Sequence, residues 1–215
     1  SVLFAKLHGL SESGEVRPLD RNCDGVLFSD GAGIVILKRL KRALSDGDRV
    51  LAVVKAFGAS SDGKGKAIYA PSSAGQAIAI ERALSRRSVN LEHIDWVVAH
   101  ATGTPAGDLA EFTTLREMMK ADHPIYVTSN KSLIGHTGWS AGVASLIQVI
   151  LGLEKQVIPP QHRFEQTPAD FGIESTNLKI PVAPVAWTRK EGAPRAASIS
   201  GFGFGGTNAH LVVQE

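Results

Sequence analysis

The sequence of 215 residues lacks the features that mark several large classes of protein. It has a single cysteine, so no internal disulfide can form, which fits a reducing cytoplasmic compartment. Charge is nearly balanced, because 23 basic and 21 acidic residues give a net charge of +2, and no charge excess favours nucleic acid or a membrane surface. The longest apolar run, 143–153, is too short to span a bilayer. We therefore expect a cytoplasmic protein that binds neither nucleic acid nor membrane.

The sequence also lacks a metal-binding pattern and a reactive thiol. A zinc site needs three or four ligands at recognisable spacing, and the chain has neither His-Glu-x-x-His nor a pair of cysteines. Cys23 has acidic neighbours that raise the pKa of a thiol, and it lies away from any predicted start of a helix. We therefore expect no metal site and no nucleophile within this chain.

The residues that are present predict an α/β protein with a large core. Hydrophobic residues make up 43% of the chain and charged residues 20%. Strands are predicted over 32–37, 50–57, 94–99, 125–128, 196–200 and 209–213. Helices are predicted over 40–44, from Ser72 or Ser73 to Arg87, and over 108–120 and 139–153. The last helix has only Gln148 as a strongly polar interior residue, so we expect it to be buried on nearly all sides.

Three loops at predicted strand ends carry groups that suit chemistry. His100 follows one strand, and Lys131 and His136 lie in the polar stretch 129–138 after another. Such loops converge in an α/β sheet. Two neutral imidazoles and an ammonium around one cavity suit donation to an oxyanion, where one donor is worth about 10²–10³ in rate. Taken singly, each histidine is equally well explained as a hydrogen-bonded turn residue.

The glycine turn 201–206 matches the dinucleotide pattern G-x-G-x-x-G. The residues that follow it are predicted to form a strand instead of the helix that the pattern requires. A dinucleotide-dependent oxidoreductase is therefore disfavoured. The glycines more simply let the backbone turn sharply, with Phe202 and Phe204 as an apolar wall or gate. His210 lies within a predicted strand and is expected to be structural.

Together these motifs resemble the β-ketoacyl synthase family, specifically the ketosynthase domains of modular polyketide synthases. The matching segments, in order, are Arg-Pro-Leu-Asp (17–20) with Asp-Gly (24–25), Asp-Gly-Ala-Gly (30–33), His-Ala-Thr-Gly-Thr (100–104), Gly-Asp with the later Glu (107–111), Asn-Lys-Ser-Leu-Ile-Gly-His (130–136) and Gly-Phe-Gly-Phe-Gly-Gly-Thr-Asn-Ala-His (201–210). The likeness spans nearly the whole chain.

The resemblance implies a thiolase-like fold built from two similar α/β halves. Residues 1–44 would then be the end of the first half and 45–215 the second half. A partner would complete the layered α-β-α-β-α architecture. The implied reaction is a decarboxylative Claisen condensation, in which an active-site cysteine takes an acyl group from a carrier protein and a malonyl-derived enolate attacks the thioester.

The resemblance also implies the roles of individual residues. His100 and His136 would stabilise the oxyanion and promote decarboxylation, and Lys131 would orient His136. Glu111, together with Asp108, would support the site, with Glu111 as a partner of Lys131. The residues expected to contact the substrate are Thr102, Thr104, Phe202, Phe204 and Gly205. Thr102 and Thr104 would bind the phosphopantetheine arm, and Phe204 would gate the acyl pocket.

Two departures from the family pattern define the alternatives. Ala101 replaces the usual glycine, and the nucleophilic cysteine of the family is absent. In the first interpretation the chain is the C-terminal part of a ketosynthase, either a naturally split subunit or a processed fragment, completed by a chain that carries the cysteine. It then works with an acyl carrier protein in a higher assembly such as a dimer of heterodimers. In the second it is a non-catalytic thiolase-like partner, resembling a chain-length factor or a carrier-docking module. In neither reading is a cofactor bound directly, because the substrates are carried on the phosphopantetheine of the carrier protein.

Overall fold

The computed structural model describes residues 2–64, 70–86 and 89–215. The α-helices in this part of the chain are α1 (Val2–Lys6), α2 (Leu40–Ser45), α3 (Ser73–Leu84), α4 (Pro105–Met118), α5 (Lys131–Ile134) and α6 (Ala141–Lys155). The strands are β1 (Val53–Ser61), β2 (Ile94–Val98), β3 (Ile125–Thr128), β4 (Val157–Ile158), β5 (Leu178–Lys179), β6 (Val185–Ala186), β7 (Ala196–Gly203) and β8 (Thr207–Gln214). Short 3-10 helices cover Leu91–His93, Gly138–Ser140, Ala169–Phe171 and Ile173–Ser175.

Six strands form one mixed sheet in the order β1-β8-β7-β2-β3-β5. The pairs β1–β8 and β8–β7 are antiparallel, whereas β7, β2, β3 and β5 run parallel. The carboxyl ends of β7, β2 and β3 therefore lie at one edge of the sheet, and the loops that follow them meet there. Of the strands predicted from the sequence, five are confirmed as β1, β2, β3, β7 and β8.

Strand β2 lies within the sheet and all of its residues are buried. Successive side chains of a strand point to opposite faces. Val97 accordingly shares a core cluster with Ile80 of α3 and Phe112 of α4. Its neighbour Trp96 shares the other cluster with Val149 of α6. Helices thus cover both faces of the sheet in a three-layer arrangement, which holds the strand ends rigidly.

The predicted helices are confirmed with shifted ends. Helix α3 starts after Ser72, whose hydroxyl accepts a hydrogen bond from the backbone N–H of Gly75 at 3.2 Å and so caps the first turn. The predicted end of this helix at Arg87 lies outside the described residues. Helix α4 begins at Pro105 instead of Asp108, because proline suits the first turn, where no intrahelical bond uses its missing N–H.

The strand predicted over 32–37 is wrong. No strand forms there, and Ile34 and Ile36 are 90% and 94% exposed. A Cβ built on Gly33 would lie 2.7 Å from the side chain of Val143, so this stretch crosses helix α6. A strand needs a neighbour to pair its N–H and C=O groups. None of the described strands pairs with this stretch.

The expectation that the helix over 139–153 is buried on nearly all sides is also wrong. Helix α6 buries Val149 and Leu153 against the sheet, but Leu151 on its other side is half exposed. Trp139 precedes the helix in a 3-10 turn and is fully exposed. The long apolar run therefore reflects two apolar faces, of which the sheet covers only one.

Residues 2–30 are largely irregular apart from α1 and two isolated bridges. One of these bridges joins Phe28 to His136. The division of the chain into 1–44 and 45–215 stays a prediction. Within the described ranges, no helix has the length and apolar character needed to cross a membrane.

Candidate active site

Three loops meet at the edge where β2, β3 and β7 end. His100 follows β2, and Lys131 opens α5 soon after β3. His136 follows α5, and its ring meets the ring of His100 edge to face, with centroids 5.3 Å apart and planes at 84°. The ring of Phe202, on β7, lies 6.2 Å from that of His100. The structure therefore brings together the histidines and the lysine that the sequence pointed to.

The backbone on either side of His136 is held by the segment 27–29. The N–H of His136 donates to the carbonyl of Leu27 at 2.8 Å, and its carbonyl accepts from the N–H of Ser29 at 3.0 Å. Gly135 has φ of +72°, and a Cβ at this position would lie 2.7 Å from the hydroxyl of Ser29. Glycine is therefore needed immediately before the histidine, because both the backbone angle and the close approach exclude a side chain.

Glu111 on helix α4 holds the backbone at the other histidine. Its buried carboxylate accepts the N–H of His100 at 2.8 Å and the N–H of Ala101 at 2.7 Å. The sequence suggested Glu111 as a partner of Lys131. Its influence on Lys131 is electrostatic, since its charge raises the lysine pKa, while the hydrogen bonds of the carboxylate go to the backbone. The sequence carries no signal for these two hydrogen bonds, because residue spacing does not show which N–H groups a carboxylate faces.

Asp108 is the second buried carboxylate of the site. It accepts the N–H of Leu19 at 2.8 Å and the N–H of Gly103 at 3.1 Å, which ties the N-terminal segment to the loop after β2. Burial raises the pKa of Asp108 to about 7 and also raises the pKa of Glu111. Burial lowers the pKa of Lys131 to about 8, against the opposing effect of these two carboxylates.

Both histidines are held in the neutral form at pH 7. Burial lowers the pKa of His136 to about 4, and the positive charge of Lys131 contributes to this effect. The pKa of His100 lies well below its ordinary value, first because of burial and then because of Lys131 and His136. A neutral imidazole has one N–H to donate, so the pair can stabilise negative charge that develops between them.

A cavity of about 400 Å³ opens beside the two histidines. Thr102 and Thr104 line it, with their hydroxyl oxygens 3.1 Å apart. Phe202 and Phe204 also line it, the first buried and the second half exposed. Gly205, which was expected to contact the substrate, lies in the turn after Phe204 with φ of +104° and does not line the cavity in the described part of the chain.

Several residues that shape this cavity were missed in the sequence. The ring of Phe4 lies 5.0 Å from that of Phe204. Asp62 holds the turn that carries Phe204, because its N–H donates to the carbonyl of Gly206 at 2.8 Å and its carboxylate accepts from the amide of Asn208 at 2.6 Å. The sequence carries no signal for Phe4, which reaches the cavity only through the fold of the N-terminal segment.

The other groups considered from the sequence do not contribute reactive groups to this cavity. Burial, followed by the charges of Asp108 and Asp20, raises the pKa of Cys23 to about 12, so its thiol is poorly suited to act as a nucleophile. His210 is buried within β8 and its Nδ1 lies 3.1 Å from the hydroxyl of Ser200, as expected of a structural histidine. A strand follows the glycine turn, which excludes the dinucleotide fingerprint there. Among the described residues, no cluster of His, Cys, Asp or Glu is arranged to hold a metal ion.

A three-layer α/β domain with two histidines and a buried lysine at parallel strand ends has the thiolase-like fold of condensing enzymes. Residues 51–165 match the beta-ketoacyl synthase C-terminal domain. The chain therefore belongs to the β-ketoacyl synthase family, which confirms the resemblance drawn from its motifs.

The curated relatives are much longer synthases, and the chain spans about a tenth of their length. The chain is 39% identical to the phthioceranic/hydroxyphthioceranic acid synthase of Mycobacterium tuberculosis over 207 residues, 96% of this chain and 10% of that protein. It is 38% identical to the highly reducing polyketide synthase ausV of Aspergillus calidoustus over 209 residues, 95% of this chain and 8% of that protein.

Solved ketosynthase domains match the whole chain. The ketosynthase from module 6 of the bacillaene synthase of Bacillus subtilis superposes with a TM-score of 0.95 and 32% identity, covering 100% of this chain and 39% of that one. An oxazolomycin ketosynthase domain from Streptomyces albus gives 0.94 and 34%, covering 100% and 38%. The chain therefore spans about two fifths of the length of these solved ketosynthases.

Proposed function

We propose that this chain supplies the oxyanion-stabilising part of a ketosynthase active site that performs decarboxylative Claisen condensation. The observation that carries the proposal is the pair of neutral histidines, His100 and His136, meeting edge to face at the cavity with Lys131 buried beside them. A decoy without catalysis has no chemical need for this arrangement of donors. The substrates are acyl and malonyl thioesters carried on the phosphopantetheine of an acyl carrier protein.

The proposed reaction assigns each group a task. The C–C bond to the malonyl carboxylate breaks and releases CO₂, and its electron pair forms an enolate whose oxygen accepts hydrogen bonds from His100 and His136. The enolate carbon then attacks the carbonyl of the acyl-cysteine thioester, and the thiolate leaves as the new C–C bond forms. Burial keeps the imidazole of His136 neutral, and the positive charge of Lys131 adds to this effect. Thr102 and Thr104 offer hydroxyls to the phosphopantetheine arm, which is a polar chain.

Two phenylalanines and two buried carboxylates complete the proposed site. Phe204 is half exposed at the cavity and closes the acyl pocket, and Phe202 forms its apolar wall. Glu111 holds the backbone of His100, and Asp108 fixes the loop that carries both threonines. Glu111 and Asp108 each accept hydrogen bonds from backbone N–H groups and do not contact the substrate in this scheme. Loss of either carboxylate is therefore expected to displace the hydrogen-bond donors of the site.

We further propose that the nucleophilic cysteine comes from another chain. The raised pKa of Cys23 argues against a nucleophile within these residues. An exposed apolar face supports the presence of a partner. Gly33, just before the stretch over 34–37, lies against Val143 and Ile147 of α6, and both segments carry exposed apolar side chains. These side chains are Ile34, Ile36, Leu37, Ile147 and Leu151.

The chemical part of the proposal is tested on the assembled ketosynthase with malonyl-carrier decarboxylation as the assay. His136→Ala is expected to lower the rate by about 10²-fold or more, because one oxyanion donor is lost. His162→Ala, at an exposed histidine away from the cavity, is the matched control and is expected to retain the parent rate. Equal rates for His136→Ala and the parent would favour the non-catalytic thiolase-like partner instead.

The proposed partner is tested by co-expression. This chain, produced together with candidate chains that carry a cysteine in a thiolase-like first half, is expected to co-purify with one of them at fixed stoichiometry. Ile36→Asp is expected to break that complex, because it places a charge in the exposed apolar stretch. An isolated chain that stays a soluble, unaggregated monomer and forms no such complex would contradict the proposal that another chain supplies the cysteine.

A further inference from the structure

The ring of His136 packs face to face on Phe28. The two centroids are 5.6 Å apart and the planes lie at 27°. The same two residues form a parallel backbone bridge, so the contact is held from both the main chain and the side chain. Phe28 in turn meets Phe4 edge to face at 4.9 Å, and Phe4 lies against Phe204. The rings of Phe28 and Phe4 thus form a continuous series of contacts from His136 to Phe204, which lines the cavity.

The second feature of this site is the hydrogen bonding of the His136 imidazole. Its Nδ1 is buried, and within the described part of the chain it has no hydrogen-bond partner. Among the described residues, the charged group that acts electrostatically on the ring is Lys131, and the titratable ring beside it is His100. The carboxylates of Asp108 and Glu111 act in turn on Lys131. The stacked ring of Phe28 and the perpendicular ring of His100 are therefore the ring contacts that define the plane of this imidazole.

We propose that Phe28 is a positioning residue for His136, which fixes the plane of the imidazole and keeps water from its buried face. The inference rests on the proposed function, in which His136 donates to the enolate oxygen. An oxyanion donor must point at the position where charge develops, so a freely turning ring would donate less effectively. Phe28 itself touches neither substrate nor reacting atoms in this scheme.

The test uses the assembled ketosynthase and the malonyl-carrier decarboxylation assay. Phe28→Leu removes the ring at similar volume and is expected to lower kcat about three- to tenfold while KM changes less than twofold. The acidic limb of the pH profile is expected to move to higher pH by half a unit or more, because water then reaches His136. Phe28→Tyr keeps the ring and is expected to retain the kcat and the pH profile of the parent. Val182→Ala, at an exposed site in an irregular segment, is the control.

The outcomes separate this inference from the proposed function. A rate that collapses in His136→Ala but is unchanged in Phe28→Leu overturns the role of Phe28 alone. Full activity in His136→Ala overturns the proposed function itself. In a His136→Ala background, Phe28→Leu should have no further effect, and an additional loss there would mean that Phe28 acts by another route. If Phe28→Leu fails to assemble, Phe28→Met provides a flexible filler without an aromatic ring, with the same expected losses.

Discussion

Replacing Lys131 with methionine is expected to make the folded protein more stable and the site less active. Lys131 is 2% exposed, and burial lowers its pKa from 10.5 to about 8. Each pKa unit corresponds to about 1.4 kcal/mol, so keeping this ammonium charged in the folded protein at pH 7 costs about 3 kcal/mol relative to the unfolded chain. Methionine has a similar length and no charge. Lys131→Met is therefore expected to raise the free energy of unfolding at pH 7 by up to about 3 kcal/mol.

The sign of the effect is set by proton uptake. Between pH 8 and 10.5 the unfolded chain binds more protons at Lys131 than the folded protein does. The parent therefore gains stability as the pH rises through this window, and Lys131→Met lacks that gain. The advantage of the variant should vanish near pH 10.5. Malonyl-carrier decarboxylation should fall about 10²-fold or more, because the charge beside His136 is lost.

The measurement is guanidinium-induced unfolding of the assembled ketosynthase at pH 7, 8, 9 and 10, with decarboxylation assayed on the same samples. Lys120→Met, at an exposed lysine just after the end of helix α4, is the control and should change the free energy of unfolding by less than about 0.5 kcal/mol. A variant of Lys131 that is less stable than the parent at pH 7 would refute the reasoning. It would mean that attraction to Glu111 and Asp108 outweighs the cost of burying the charge.

Two further predictions concern residues outside the histidine pair. Gly58→Ala should lower the free energy of unfolding by about 1–3 kcal/mol or more, because its Cβ would lie 2.0 Å from the carbonyl oxygen of Ala79 and 2.7 Å from the N–H nitrogen of Ala83. Thermal unfolding measures this loss, and an unchanged Tm would contradict it. Cys23 should react with iodoacetamide at pH 8 about a thousandfold more slowly than free cysteine, because its pKa of about 12 leaves very little thiolate. Mass spectrometry measures the rate of this alkylation, and a rate close to that of free cysteine would contradict the prediction.

The alternation of strands and helices could be predicted from the sequence because it depends on local pattern. The apolar runs of β2, β3 and β7, and the capping serine of α3, carry their own signals in a few neighbouring residues. The same holds for His100, Lys131 and His136, which lie in the segments after β2 and β3, so their convergence follows from the parallel order of those strands. The stretch over 32–37 has equally strong local signals, but a strand also needs a neighbour.

What the sequence by itself determined is therefore the α/β class, the chemical groups at the strand ends and the family that they define. The tertiary structure alone decided what surrounds those groups. It placed the carboxylate of Glu111 on the backbone of His100 and the ring of Phe28 on that of His136, and it left one face of α6 uncovered. The physical reason is that burial, hydrogen bonding and ring contact depend on residues far apart in the chain, whose meeting no local pattern records.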